Sequence, residues 1–296
     1  MSYLTGHWSF DPFEVLAVAV AGWQEIGLWR MARRSRPERT RERRLRSLWF
    51  YAGLVVLLLA VSSPIDYWAD DYFWVHMIQH LLLMFAAPSL LVAGAPWQPL
   101  ADAVPRRAAA VAVRWSRPLR AAVDFVLRPW VTVVAFNAVM LFWHIPAALD
   151  LAENNPAVKI WLLHSSYLIV GILFWLLFIP SPPLRMRMPP EGQAIALVAT
   201  NVIMWLLAMS MSFLTQTSWY SVYNHIPGVT LPPFADQQIG AGILWVCGDF
   251  WAIPALIVAI RRVINADGSL GSAIDKMLGK ETGTTGGTGW ASRAGR

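Results

Sequence analysis

Two histidines, His76 and His80, lie four residues apart in the apolar segment WVHMIQHLLLM, residues 74–84. Four residues turn an α-helix about 40° past one full turn, so both imidazoles lie on one helix face. Polar groups inside hydrocarbon are costly and are functional-site candidates by default. The spacing therefore predicts a binding role for the pair. The alternative is that each imidazole only makes a hydrogen bond to a neighbouring helix.

The same His-x-x-x-His spacing is found in zinc proteases, so this class of enzyme needs a specific test. In those enzymes a glutamate directly follows the first histidine and acts as the general base. Here that position is Met77. The comparison excludes a hydrolase, and because no other pattern indicates turnover chemistry, we do not expect an enzyme.

Two further histidines, His144 and His164, lie in other apolar segments. At about 1.5 Å per helical residue, all four histidines lie roughly 5 to 12 Å below the same membrane surface. Four methionines lie near that level: Met77, Met84, Met209 and Met211. Imidazole and thioether groups suit copper, and thioether favours Cu(I). The sequence thus predicts a copper site of four histidines with accessory methionines, although methionine in a helix is more often packing material.

Deeper in the predicted spans lie two acids, Glu25 and Asp249, and two amides, Asn137 and Asn201. Ionisable groups near the bilayer centre are candidates for function, and Asp249 is the one we favour to balance a cation or relay a proton. Interhelical hydrogen bonding is the other explanation, and it suits the two asparagines better.

The elements that position these residues are long apolar segments. The chain is 56% hydrophobic and 14% charged. A helix needs about 20 apolar residues to cross a bilayer, and lipid-exposed strands would leave amides unpaired. We therefore predict an all-α, polytopic membrane protein, a bundle of seven transmembrane helices. The spans lie near 12–30, 47–63, 72–93, 129–147, 158–179, 191–213 and 236–260.

The basic residues predict the orientation of this bundle. Of the 24 Lys and Arg residues, all but Lys159 lie in alternate connections and in the tail from residue 261. The positive-inside rule then places the N-terminus outside and the C-terminus in the cytoplasm. Arginine blocks in these positions indicate membrane orientation, so we expect no nucleic-acid partner.

Two domains are predicted from the composition. Residues 1–262 form the seven-helix membrane domain, and 263–296 form a cytoplasmic tail. The segment TGTTGGTG at 282–289 predicts disorder in that tail. The alanine- and arginine-rich residues 101–125 predict a helix on the membrane surface.

Three segments together resemble the CtaG family, multi-span assembly factors of bacterial cytochrome c oxidase. They are HMIQHLLLMFAAPSLLVAGAPW (76–97), FWHIPAALDLAENNPAV (142–158) and DQQIGAGILWVCGDF (236–250), and the similarity covers about residues 7–262. The family's polar positions would be His76, His80, His144, His164, Asp236 and Asp249. The resemblance implies a bacterial plasma-membrane protein that handles copper for the oxidase. Its expected partners are oxidase subunits, an extracytoplasmic copper donor and the lipid bilayer.

Three other functions stay open from the sequence. A haem-binding protein would use His80 with His144 or His164 as axial ligands. A proton or ion transporter would use Glu25 and Asp249. A metal-free assembly scaffold would need none of the histidines. The aromatic loop 214–235 is either a docking surface or lid, or part of an interfacial belt of aromatic side chains.

Overall fold

The computed structural model describes residues 7–34, 37–105 and 117–267, and these ranges contain helices and no strand. The prediction of an all-α fold is confirmed. The tail from residue 268, including the glycine-rich segment 282–289, lies outside the described residues. So does the middle of the predicted surface helix, 106–116. Of the described residues in this segment, those up to Ala103 and those from Arg117 are α-helical.

Prolines mark most helix starts, because proline at the first helical position loses no hydrogen bond and has a helical φ. Two π-helical segments, π1 and π2, interrupt the apolar helices. In chain order the elements are α1 (Pro12–Ala32), α2 (Pro37–Ser62), α3 (Pro64–Asp71), α4 (Phe73–Leu81), π1 (Leu82–Ala86), α5 (Ala87–Ala93), α6 (Trp97–Ala103), α7 (Arg117–Val126), α8 (Pro129–Trp143), α9 (Pro146–Glu153), α10 (Pro156–Val158), π2 (Lys159–His164), α11 (Ser165–Trp175), α12 (Pro190–Phe213), a 3₁₀ turn (Ser221–Tyr223) and α13 (Pro233–Asp267).

Five helical stretches of the described residues are long and apolar enough to cross a membrane. They are Arg41–Asp71, Phe73–Ala93, Pro156–Trp175, Pro190–Phe213 and Pro233–Ile264. A sixth is formed by α8 and α9 if the 73° bend between them lies within one span. The helix α1, our predicted first span, has 21 residues but is not among the helices of that apolarity. The structure thus accounts for five to six of the seven predicted spans.

Helix α1 lies antiparallel to α2 along most of its length. At its start, the backbone N–H of Ser9 donates to the carbonyl of Ser62 at 3.1 Å, at the end of α2. Midway, the side-chain amide of Gln24 donates to Ser47 at 3.4 Å. At its end, the Arg30 guanidinium donates to the carbonyls of Asp102 and Ala103, at the end of α6. Helix α1 is therefore as tall as the spanning part of α2.

The continuous helix formed by α4, π1 and α5 lies at the centre of the bundle. It packs against α2 and α3 on one side, α11 on another and α13 on a third. Its buried side chains, among them Phe73, Met77 and Leu83, belong to the main hydrophobic core. The helices around it expose apolar side chains such as Trp161, Leu206 and Phe250, as lipid-facing helices do.

Candidate functional site

The structure brings His76, His80 and His144 into direct ring contact. The ring centroids of His76 and His80 are 4.0 Å apart, and those of His80 and His144 are 5.8 Å apart. His164 lies within electrostatic range of both His76 and His80. All four side chains are buried. Residues from three separate apolar stretches therefore meet at one point, which we call the histidine cluster.

Almost every ring nitrogen of the histidine cluster lacks a hydrogen-bond partner. Both nitrogens of His76, His80 and His164, together with Nε2 of His144, are buried without one. A buried polar group that is left without a hydrogen-bond partner costs about 1–3 kcal/mol, so such groups are rare in folded proteins. Such a concentration of unused lone pairs and N–H groups is typical of a binding site rather than of a packed core.

His144 shows how one of these imidazoles is oriented. It lies where α8 ends, and its Nδ1 is 2.7 Å from the carbonyl oxygen of Met140. A carbonyl oxygen only accepts, so Nδ1 carries the hydrogen and donates it. In the neutral imidazole Nε2 then holds a lone pair. A ligand histidine in a metal site is commonly held in this way.

The two π segments adjoin the histidine cluster. The first, π1, begins two residues after His80, and the second, π2, ends at His164. A π turn widens a helix by one residue and changes the direction of the side chains beyond it, and such turns are frequent at functional sites. On two different helices the backbone thus departs from α-helical geometry beside a cluster histidine.

Tyrosines close the cluster. The Tyr167 ring lies 4.4 Å from that of His80, and its hydroxyl is buried without a partner. From the loop 214–235, Tyr220 donates to the carbonyl of His144 at 3.1 Å, and Tyr223 donates to that of Ala69 at 3.0 Å. Burial raises the pKa of Tyr220 far above its usual value, and the nearby Asp150 carboxyl acts in the same direction, so the hydroxyl stays protonated. This loop packs on the site with its tyrosines.

A buried ionic network that the sequence did not reveal adjoins His76. Glu153 Oε1 lies 3.3 Å from His76 Nδ1, and Glu153 Oε2 accepts a hydrogen bond from Lys159 at 3.0 Å. Lys159 also pairs with Asp70, whose side chain is 62% exposed. The chain Asp70–Lys159–Glu153, which we call the ionic network, connects the histidine cluster with the protein surface. The sequence held one signal of it, because Lys159 alone among the basic residues lies apart from the basic connections.

The predicted accessory methionines divide into two groups. Met77, Met84 and Met211 are buried, and Met77 packs beside Gly240 of α13. Met209 is 44% exposed on the outside of the bundle, so the prediction that it contributes to a site is not supported by its position. In the described part of the chain, no three His, Cys, Asp or Glu side chains already converge in a metal-binding arrangement.

The three predicted acids have structural partners away from the histidines. Asp236 accepts hydrogen bonds from the backbone N–H groups of Phe73 and Trp74, at 2.7 and 2.9 Å, and so caps the start of α4. Asp249 accepts from Asn201 at 2.7 Å. Glu25 accepts from the Tyr51 hydroxyl and is exposed. Each acid joins two helices, the role expected for interhelical polar contacts.

Comparison with known proteins places this chain in a family. A family model described as cytochrome c oxidase caa3 assembly factor (Caa3_CtaG) matches residues 26–266, most of the chain. The chain belongs to the Caa3_CtaG family. This family membership and the apolar helices make it a multi-pass protein of the bacterial plasma membrane.

Two curated relatives extend the comparison. They are "Uncharacterized protein Mb0105" of Mycobacterium bovis and "Uncharacterized protein MT0111" of Mycobacterium tuberculosis, each 24% identical over 250 residues. Each alignment covers 78% of this chain and 36% of the relative, so the chain spans about a third of their length. No solved structure matches the chain. The Caa3_CtaG match includes all four cluster histidines, Glu153 and Lys159.

Proposed function

We propose that this Caa3_CtaG protein assists cytochrome c oxidase assembly by holding Cu(I) at the histidine cluster and passing it to an oxidase subunit. Copper is cargo in this proposal. The observation that carries it is the set of buried, partnerless imidazole nitrogens of His76, His80, His144 and His164. A metal ion that binds their lone pairs would offset the cost of leaving them unpaired.

The position of the cluster suits exchange with the outside. In our proposed topology α1 also crosses the membrane and raises the number of spans from six to seven. It lies antiparallel to the spanning helix α2 and extends over the same height. The N-terminus then lies outside, and the histidine cluster lies in the outer half of the membrane. An extracytoplasmic donor would supply copper near Asp70, and an oxidase subunit would receive it within the bilayer.

The packed rings of the cluster imply a movement on binding. Among the described residues no three His, Cys, Asp or Glu side chains converge in a metal-binding arrangement, so the ring nitrogens of the cluster do not share one focus. Imidazole rotations about the side-chain torsions would turn the lone pairs toward a common ion. The direct ring packing also argues against haem, because a porphyrin needs an open slot between its axial ligands.

The transporter alternative is weakened by where the two acids lie. Glu25 is exposed on α1, and Asp249 is part of a hydrogen-bonded group with Asn201 and Trp205 at the edge of α12 and α13. Among the described residues, neither acid contacts the other acid or the histidine cluster. A proton or ion path through the bundle would need such connections.

Metal content of the purified protein tests the proposal. After anaerobic loading with Cu(I) and removal of excess metal, we expect about one copper ion per chain, held by the imidazoles. The double variant His76→Ala/His80→Ala should lose it, whereas His225→Ala, which alters an exposed loop histidine, should retain it.

Oxidase assembly in cells provides the second readout. The double variant should lower assembled, copper-containing oxidase while the protein itself still accumulates in the membrane. If neither wild type nor variant binds copper, and oxidase assembly is unaffected by the variant, the copper proposal is wrong and the metal-free scaffold remains.

A further inference from the structure

Glu153 has one carboxylate oxygen committed and one directed at the histidine cluster. Its Oε2 accepts from Lys159, while Oε1 is buried, has no hydrogen-bond partner and lies 3.3 Å from His76 Nδ1. The side chains of Glu153 and His76 are 3% and 0% exposed. Water is therefore excluded from the space between them, and each is the nearest available partner of the other.

The two imidazoles at the ends of the cluster are held in parallel ways. His144 Nδ1 faces the Met140 carbonyl oxygen, and His76 Nδ1 faces the Glu153 carboxylate oxygen. Both oxygens are acceptors, and an ionised carboxylate cannot donate. At His144 this contact is a hydrogen bond. At His76 the 3.3 Å contact lacks hydrogen-bond geometry, and a small rotation of the ring would let an Nδ1 hydrogen meet the carboxylate and leave Nε2 with its lone pair.

We propose that Glu153 is a positioning residue that keeps the hydrogen of neutral His76 on Nδ1, and that Lys159 and Asp70 hold Glu153 in place for this purpose. The inference deepens the proposed function, since it names what prepares Nε2 of His76 to bind a metal. The tautomer itself belongs to the metal-free protein and exists whether or not copper binds.

The contact with Lys159 reduces the cost of an ionised carboxylate at Glu153. A buried charge is tolerated when it is paired and hydrogen-bonded, and removing one member of such a pair is costly. Lys159 lies between Glu153 and the exposed Asp70, so the ammonium is itself paired on both sides. This explains why a chain that collects its other basic residues in the connections and the tail places one lysine here.

Nitrogen NMR of the metal-free protein, labelled with ¹⁵N in the histidine rings, tests the inference directly. The ring nitrogen shifts distinguish protonated nitrogen from one with a lone pair, and loss of a signal in His76→Ala assigns His76. We expect the Nδ1–H tautomer for His76 and, as an internal reference, for His144. Glu153→Gln should increase the Nε2–H population of His76 and leave His144 unchanged.

Two further variants control for altered folding. Asp150→Asn removes an acid of the same helix that accepts from Ser221, and it should leave the His76 tautomer unchanged. Glu153→Gln/Lys159→Met removes both buried charges together and so avoids an unpaired one. This double variant should lose the tautomer preference as Glu153→Gln does, while the circular dichroism spectrum and the His144 signals stay native.

Copper affinity gives the second readout. Loss of such an orienting partner typically weakens metal binding about 10- to 100-fold, so we expect a loss of this size for Glu153→Gln and partial recovery for Glu153→Asp. An Nε2–H tautomer of His76 in the wild type would overturn the inference even if copper binds. An Nδ1–H tautomer that responds to Glu153→Gln in a protein without copper affinity would uphold it and reject the copper proposal alone.

Discussion

Asp236 acts on α4 from another helix. The residue before α4, Tyr72, makes no side-chain cap, so the carboxylate of Asp236 pairs the first two N–H groups, those of Phe73 and Trp74. His76 follows three residues after Phe73, so this contact also fixes the height of the histidine cluster relative to α13.

We expect Asp236→Ala to lower the free energy of unfolding by about 1–3 kcal/mol, because buried N–H groups lose their partner. Asp236→Asn keeps one acceptor oxygen, so its stability should lie between those of the wild type and Asp236→Ala. The measurement is the thermal unfolding midpoint in detergent. Equal midpoints for wild type and Asp236→Ala would contradict a capping role.

The sequence predicts the four histidines at one depth, because a constant rise per helical residue converts position into depth. In the structure the rings of His76, His80 and His144 are in contact, while a metal site built from the four histidines stays a prediction. Glu153 was missed because it lies beyond the predicted end of the fourth span at residue 147, where an acid is unremarkable. The bend after Trp143 changes the surroundings of Glu153, and no local sequence pattern predicts its contact with His76.

At the scale of elements, the contact between α1 and α6 depends on one glycine. A Cβ atom on Gly27 would lie 1.9 Å from the carbonyl oxygen of Pro99, so α6 approaches α1 more closely than a side chain permits. Gly22 of the same helix would meet nothing within 4 Å. Two glycines one turn and a half apart therefore differ only in their surroundings.

This pair gives a matched test of the packing. Alanine has the better helix propensity by about 1 kcal/mol, so Gly22→Ala should leave the thermal unfolding midpoint unchanged or raise it. Gly27→Ala should lower the midpoint, because the backbone of α6 must move and the hydrogen bonds from Arg30 to α6 are disturbed. Similar midpoints for both variants would show that α6 is not held against α1 as described.

The elements that shape the site follow from packing rather than from local sequence. Proline predicts where α8 and α9 begin, yet the 73° between them depends on what each packs against. The segments Leu82–Ala86 and Lys159–His164 contain neither proline nor glycine, and no local pattern in them predicts π geometry. Hydrophobicity identifies a span, and tertiary contacts decide how its side chains are directed.

For the whole molecule, the number of spans depends on whether α1 crosses the membrane. Its composition is less apolar than that of the five clear spans, but Ser9 at one end adjoins Ser62 and Arg30 at the other end adjoins α6. If α2 spans, a helix of equal height beside it also reaches both surfaces. The positive-inside count places the connection after α1 in the cytoplasm, which is compatible with α1 crossing the membrane and with both of its ends lying inside.

Cysteine accessibility decides this topology, since the chain has a single cysteine, Cys247, that can be replaced. In a Cys247→Ala background, a membrane-impermeant maleimide added outside intact cells should label Ser9→Cys and Gln216→Cys but label Arg34→Cys only after lysis. All three positions are exposed, so access reports the side of the membrane. Labelling of Gln216→Cys alone would place both ends of α1 in the cytoplasm and leave six spans. Labelling of Arg34→Cys alone would invert the bundle, and the histidine cluster would then face a cytoplasmic supply of copper.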